Sequence, residues 1–233
     1  ALLHQFGVPE PHPQEVSGRR ATTAEQRGRL MVNGVSVPPA AGRRSLHFED
    51  ALAQLHEHRW RPEVSVQDIP SPQRIAPHSA AVQAEVGLQG HEVANGRLVL
   101  LHDPAGNEAW QGDYRLVSYA RADVDLAMVT DPLLAEVGWG WLIEALEQRN
   151  AAHVAPSGTV TAVSSRCFGD MDSEPDRAEV EIRASWTPVL GEGSTLTAHL
   201  SAWQDLLCLT AGLPPVPEGV VLLTSRTGGV CGR

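Results

Sequence analysis

The sequence has no lysine, only three cysteines, and no apolar run long enough to cross a membrane. All 18 basic side chains among its 233 residues are arginines. The cysteines (Cys167, Cys208 and Cys231) are odd in number and far apart, which argues against a disulfide framework or a paired-thiol metal site. A membrane helix needs about 18 to 20 consecutive apolar residues, and the first residues lack the pattern of a secretion signal. We therefore expect a cytoplasmic protein with no membrane contact.

Charge is distributed unevenly along the chain. Residues 1–46 contain six arginines and three acids, whereas the rest contains 12 arginines and 25 acids, which gives a formal net charge of −10 for the whole sequence. A domain that binds nucleic acid usually presents a basic face that neutralises phosphates. The acidic body of this protein argues against nucleic acid as a partner.

Proline, glycine and apolar spacing divide the chain into three parts. Residues 1–45 show neither a helical nor an alternating apolar period, and we predict that they are disordered. The chain begins with alanine, and Met31 lies just before the ordered part, so residues 1–30 could be added sequence, a fragment start or a translated leader. Residues 46–215 are predicted to form one domain, and residues 216–233 a flexible tail.

Apolar spacing in the predicted domain indicates both helices and strands. Helices are predicted over 46–59, over 131–149 and from about residue 196. Strands are predicted as a short edge strand at 64–66 and then at about 79–88, 98–101, 110–116, 157–168 and 177–187, with a hairpin turn at 103–107. The short hairpin links favour an antiparallel sheet with its helices on one face.

The fold prediction is a single α+β domain with one antiparallel sheet of about five to six strands. Three helices pack mainly on one face of this sheet, in the order α-β-β-β(-β)-α-β-β-α. This order is similar to that of type III secretion chaperones, small domains that bind other proteins, often as dimers. Because the similarity rests on element order alone, it is weak support for a shared function.

Four segments carry a more specific resemblance. They are RPEVSVQDIPSPQRIAP (61–77), LVLLHDPAGNEAWQG (98–112), DPLLAEVGWGWLIEAL (131–146) and AEVEIRASWTP (178–188). Over about residues 46–215 the sequence resembles the actinobacterial family known as domain of unknown function 3000, and the lysine-free composition agrees with a GC-rich origin. The resemblance implies no activity, cofactor or site residue.

Three histidines near the first predicted helix are the first potential metal ligands. His56 and His58 are two positions apart on a helix and face different ways, whereas helical ligand pairs need a spacing of three or four. His47 does not complete a suitable pair with either of them. A solvated helix end is the simpler interpretation.

Four acidic residues form a second potential metal site. Asp170, Asp172, Glu174 and Glu181 occupy positions 1, 3, 5 and 12 of a calcium-loop pattern. Position 6, however, is Pro175 where such loops need glycine, and the flanking segments are predicted strands rather than helices. We therefore expect a solvated hairpin tip, with no bound metal and no cofactor.

The best potential catalytic group combines residues from two strands. His102, Asp103 and Glu108 surround a predicted hairpin turn, and Ser164, Ser165 and Cys167 belong to a later strand. No Gly-x-Ser-x-Gly elbow or phosphate-binding glycine loop accompanies them. An enzyme that acts on a small molecule, in a pocket between helices and sheet, remains the alternative function.

The predicted helix over 131–149 is apolar on nearly every side. Trp139 and Trp141 are two positions apart and cannot both face the same sheet, so one of them needs another cover. That cover is another helix, a partner protein or a second copy of the chain. Gly138 and Gly140 would allow another backbone to approach closely. We predict a non-catalytic protein-binding or adaptor domain whose partner-binding residues are Trp139, Trp141 and Ile143.

Overall fold

The computed structural model describes residues 46–191 and 195–214, together with the backbone of two short strands. These strands, β1 (Leu30–Val32) and β2 (Val35–Val37), pair antiparallel with each other. Most of the segment predicted to be disordered, 1–45, and all of the predicted tail, 216–233, lie outside the described residues. Those two predictions therefore stay predictions.

Four helices are present in the described part of the chain, where the sequence predicted three. They are α1 (Phe48–Glu57), α2 (Leu126–Val129), α3 (Leu134–Gln148) and α4 (Leu196–Thr210). The additional helix, α2, is a single turn, too short for an apolar period to reveal it. None of the described helices is both long enough and apolar enough to cross a membrane.

One six-stranded antiparallel sheet forms the centre of the domain, which confirms the α+β prediction. Its strands are β3 (Val64–Ile69), β4 (His78–Leu88), β5 (His91–Asn107), β6 (Gly112–Asp123), β7 (His153–Ser165) and β8 (Arg177–Pro188). They lie in the order β3-β4-β5-β6-β8-β7, so β3 and β7 are its edges.

The link between β5 and β6 differs from the predicted hairpin turn at 103–107. β5 continues through this segment to Asn107, with an irregular register after His102. The chain reverses instead in a 3-10 turn over Glu108–Trp110, where the Asn107 side chain accepts a hydrogen bond from the backbone N–H of Ala109 at 3.0 Å. Turn-forming residues thus end the regular pairing a few residues before the reversal itself.

β7 begins at His153 and ends at Ser165, whereas the sequence predicted 157–168. A bulge between Val154 and Ser157 interrupts its pairing with β8, and Ala155 there has a positive φ of 49°. The bulge breaks the alternation of side chains, so the first residues of the strand do not show the pattern expected of one.

All of the large helices pack on one face of the sheet and form the main core with it. The alternation predicted for β8 is confirmed, because Val180, Ile182 and Trp186 are fully buried in this core. α4 contacts α1, α3 and the sheet, and it is buried over most of its surface. Its Trp203 is the other fully buried tryptophan.

The opposite face of the sheet is partly covered and mostly polar. A second, smaller apolar cluster lies here, covered in part by the proline-rich connection between β3 and β4. Its buried members are Ala81, Val99, Leu101, Trp110 and Val117, and Ile69, Ile75 and Ala76 pack against them. We call the remainder of this side, which none of the four described helices covers, the open face.

Candidate interaction surface

Helix α3 lies directly over strands β7 and β8, because two glycines allow close contact. A Cβ atom at Gly138 would lie 3.2 Å from Val160 Cγ1 of β7. A Cβ atom at Gly158 of β7 would lie 2.8 Å from Trp139 Cζ3, so any larger residue would displace the indole. Gly140 has no such neighbour and leaves the helix surface open.

The three predicted partner-binding residues, Trp139, Trp141 and Ile143, are all half-buried. Both tryptophans pack against the main core, although they lie on different sides of α3. The buried stripe of α3 consists instead of Leu134, Gly138, Leu142, Ala145 and Leu146. Part of each indole therefore stabilises the domain, and part remains at its surface.

The most exposed large apolar residues of the helices lie just before Trp139 in the sequence. Leu133 is 57% exposed and Val137 is 47% exposed, and they are one turn apart on the same face of the helix start. Leu126 and Met128 of α2 are also exposed. The sequence did not predict this surface, because its pattern drew attention to the tryptophans of α3 and did not indicate α2. We refer to Leu126, Met128, Leu133 and Val137 as the α2–α3 surface.

The β7 edge of the sheet adjoins α3. β7 pairs with β8 on one side, and no described strand pairs with its other side. The strand carries no ionisable side chain between Val154 and Ser165, and from Ser157 onward its pairing with β8 is regular. Long, uncharged edge strands of this kind are the ones to which a further strand can add.

Polar side chains of β6 and β8 contact one another on the open face. Arg121 binds both carboxylate oxygens of Glu179, and Arg183 Nη2 lies 2.6 Å from Glu181 Oε2. Tyr119 donates its hydroxyl hydrogen to Glu181 at 3.0 Å. Each of these two carboxylates is thereby matched with an arginine, so the β7–β8 side of the open face is close to neutral.

Arg115 is a buried cation that is only 8% exposed and is held by neutral oxygen atoms. Its Nη1 donates to Ala155 O (2.9 Å) and Thr187 Oγ1 (3.0 Å), and its Nη2 donates to Ser157 Oγ (3.2 Å) and Ser185 Oγ (2.7 Å). Burial lowers the pKa of Arg115 to about 10. Because all four Nη hydrogens are used within the protein, the guanidinium links β6, β7 and β8.

Four aromatic rings form a stack at the start of α1. His102 lies between Tyr114, at 4.2 Å between ring centroids, and Phe48, at 5.8 Å, and His78 stacks on both Phe48 and His102. The Tyr114 hydroxyl donates to Leu46 O at 2.8 Å. Burial lowers the pKa of His102 and raises that of Tyr114. The stack fixes α1 on the sheet, and both His102 and Tyr114 are uncharged in it.

The histidines singled out in the sequence do not come together as a metal site. His56 Nε2 lies 3.4 Å from Asp68 of β3, both groups being exposed, whereas His47 precedes α1. The pKa of His58 is lowered by burial, and neither of its ring nitrogens has a hydrogen-bond partner. Among residues 46–191 and 195–214, no three His, Cys, Asp or Glu side chains are placed to hold a metal ion.

The structure also separates the members of the calcium-loop pattern. Asp170, Asp172 and Glu174 are exposed in the connection between β7 and β8, which contains a 3-10 turn over Gly169–Met171. Glu181 lies in β8 and is bound to Arg183 and Tyr119, as described above. These carboxylates therefore do not converge on one point.

The residues proposed as a catalytic group lie at opposite ends of the sheet. His102 pairs with His78 and Tyr114 at one end, whereas Ser164 and Ser165 pair with the first residues of β8 at the other. About ten residues of strand, roughly 30 Å, separate the two ends. This separation is incompatible with a joint catalytic role.

Two cavities lie among the described residues, and polar side chains contribute much of the lining of both. One, of about 380 Å³, lies between the end of α1 and the start of α4 and is lined by Gln54, Glu57, His58, Arg59 and Thr197. The other, of about 250 Å³, is lined by residues 92–95 and 121–123 at the ends of β5 and β6. Small-molecule sites are usually predominantly apolar and enclosed.

The fold and surfaces together define an α+β domain built on one six-stranded antiparallel sheet, with an apolar helix surface beside an uncharged sheet edge. Residues 44–221 match the model of a family described as "Protein of unknown function (DUF3000)". The chain belongs to the DUF3000 family, which confirms the family resemblance seen in the sequence. No curated protein and no solved structure matches the chain.

Proposed function

We propose that this DUF3000 protein is a non-catalytic protein-binding or adaptor domain. The observation that carries the proposal is the α2–α3 surface, where Leu133 and Val137 expose about half of their side chains on one face. Large apolar side chains grouped at the surface of a folded domain are typical of contact sites for other proteins. Trp139, Trp141 and Ile143 extend the proposed contact along α3, each using the part of its side chain that the core leaves uncovered.

Two further features of the earlier prediction belong to this proposal. A cytoplasmic location is supported by the free thiols of Cys167 and Cys208. An actinobacterial origin is supported by the absence of lysine. The similarity to type III secretion chaperones would fit a binding role, and it rests on element order alone.

One experiment tests the binding role directly. The tagged full chain carries a photo-activated cross-linking amino acid at position 137 and is expressed in its native cell. We expect one discrete cross-linked protein, which disappears when Leu133→Glu is introduced into the same chain. The same cross-linker at Gln148, exposed at the end of α3, is the matched control and should give no such product.

Two results would contradict the proposal: identical cross-linked products from positions 137 and 148, or no cross-linked product from either position. Thermal melts complete the test, since Leu133→Glu at an exposed position should leave the melting temperature nearly unchanged.

The enzyme alternative has one observation in its favour. His58, whose ring nitrogens are buried without a hydrogen-bond partner, is among the residues that line a cavity. Native mass spectrometry of the purified full chain tests this alternative. A stoichiometric small molecule that is lost in His58→Phe would favour the enzyme, whereas the bare chain mass in both proteins would favour the binding domain.

A further inference from the structure

We infer that two copies of this chain associate through their β7 strands, which join the two six-stranded sheets into one. The inference rests on the proposed binding role and names a second copy as a partner. Four features of the molecule support it: the edge itself, its charge, its self-pairing register and the position of α3.

The two edges of the sheet differ in how well they are protected against strand addition. β3 is six residues long, contains Asp68, and is followed by Pro70 and Pro72. β7 is 13 residues long, and its protective features, the bulge and Pro156, lie only at its beginning. Charges, prolines and bulges are the usual means by which edge strands avoid pairing. The segment from Ser157 to Ser165 has none of them.

Charge explains why a second copy fits this edge in particular. A chain with a net charge of −10 repels its own copies over most of its surface. β7 has no ionisable side chain after His153, and the nearest carboxylates on β8, Glu179 and Glu181, are each paired with an arginine. In a joined sheet the two Glu181 residues would be about three strand spacings, roughly 14 Å, apart. That exceeds the Debye length of about 8 Å at physiological ionic strength.

The segment is also complementary to itself in an antiparallel register. A two-fold axis through Thr161 places Thr159 opposite Val163 and Ser157 opposite Ser165 of the other copy. No pair brings like charges together, and threonine and valine are favourable cross-strand neighbours. Every second residue of this segment, about four residues in all, would form backbone hydrogen bonds with the β7 strand of the other copy.

Helix α3 is placed so that the α3 helices of the two copies do not overlap. Gly138 lies against both Val160 of β7 and Ile182 of β8, so the helix runs over this pair of strands. Across the axis, two such helices would be separated by about two strand spacings, or roughly 9.6 Å. Packed helices lie about 8 to 10 Å apart. The same arrangement would cover half-buried side chains of α3, which gives Trp139 and Ile143 a partner surface.

Sedimentation equilibrium of the full chain tests the inference. We expect a dimer with twice the chain mass of 25.0 kDa. Thr161→Lys, at a half-exposed position, places two cations opposite each other on the axis and should weaken association at least tenfold. Ser65→Lys adds the same charge to the exposed side of β3, the other edge, and should leave the dimer intact.

A charge exchange provides a second, independent test of the register. The double variants Thr159→Glu/Val163→Glu and Thr159→Arg/Val163→Arg should each be monomeric, because like charges meet twice across the axis. An equimolar mixture of the two should form dimers. A mixture that remains monomeric, a monomeric wild-type chain, or a Thr161→Lys protein that dimerises like wild type would overturn the inference.

Failure of this inference is distinguishable from failure of the binding role. If a partner binds the α2–α3 surface, Thr161→Lys should still give the cross-linked product from position 137. Conversely, Leu133→Glu should remain dimeric while losing that product. A chain that dimerises but gives no cross-linked partner would retain the self-association and contradict the proposed adaptor role.

Discussion

The two faces of the sheet are built from the same strands and have opposite character. One face is covered by α1, α3 and α4 and contains both fully buried tryptophans, Trp186 and Trp203. The other carries a small apolar cluster, a network of arginine and glutamate pairs, and Arg115 among hydroxyl groups. Because side chains alternate along a strand, one sequence specifies both surfaces.

This difference shows where the stability of the domain resides and where its surface remains available. Burial of large apolar side chains contributes most to stability, whereas exposed ion pairs contribute little. The helix-covered face should therefore tolerate few substitutions, and the open face many. Arg115 is the exception on the open face, because its side chain is buried.

The largest effect should come from Trp186→Ala on the covered face. The side chain is fully buried, and its indole N–H donates to His199 Nδ1 at 3.2 Å. Loss of this volume should lower the free energy of unfolding by about 3 to 5 kcal/mol. Urea denaturation measures the change, and a loss below about 1 kcal/mol would mean that the covered face is not the main source of stability.

Arg115→Met should have the next largest effect. The variant keeps the apolar stem but removes the hydrogen bonds to Ala155 O and to the hydroxyls of Ser185 and Thr187. We expect a loss of about 2 to 3 kcal/mol in the free energy of unfolding. Arg183→Met, a more exposed arginine on the same face, is the control and should cost less than about 1 kcal/mol. Equal losses would contradict the special role of the buried cation.

A pH titration tests the covered face through His199. Burial lowers the pKa of His199 from 6.5 to about 3, so the unfolded chain binds the proton first as the pH falls. Stability should be complete above about pH 6.5 and decline from there towards pH 3, by about 2 kcal/mol at pH 5 from this residue. His199→Gln, which can still accept from Trp186, should flatten the decline. Parallel pH profiles for the two proteins would contradict this explanation.

The smallest effect should come from Glu179→Ala on the open face. Glu179 binds Arg121 in a half-exposed pair, and such pairs contribute less than about 1 kcal/mol. Its neighbour Val180, on the covered face, should cost more when changed to alanine, since it is fully buried. Chemical denaturation of both variants measures the two losses in the free energy of unfolding. A larger loss for Glu179→Ala than for Val180→Ala would mean that the two faces of β8 are assigned the wrong way round.

The sequence predicted the strands best where both faces follow the alternation. β8 shows this most clearly, because every second residue from Ala178 to Trp186 is buried. The period fails at the bulge in β7, where Ala155 has a positive φ, and at the end of β5, where pairing becomes irregular. Helix α2 escaped prediction because four residues do not complete a detectable period.

The candidate surfaces were only partly predictable. The composition of α3 indicated a contact helix, but which apolar residues remain exposed depends on how α4 and the sheet cover it. The Arg115 network could not be predicted, since its partners lie 40 to 72 positions away on two other strands. The β7 edge likewise follows from strand order, which local patterns do not determine.

Hydrogen exchange of the full chain at low and high protein concentration tests the central claim, that the sheet of this binding domain continues across its β7 edge. We predict that backbone amides between Ser157 and Ser165 exchange more slowly at high concentration, while those of β3 are unchanged. The concentration effect should disappear in Thr161→Lys. Exchange in β7 that is independent of concentration, or protection that appears in β3 instead, would contradict the account.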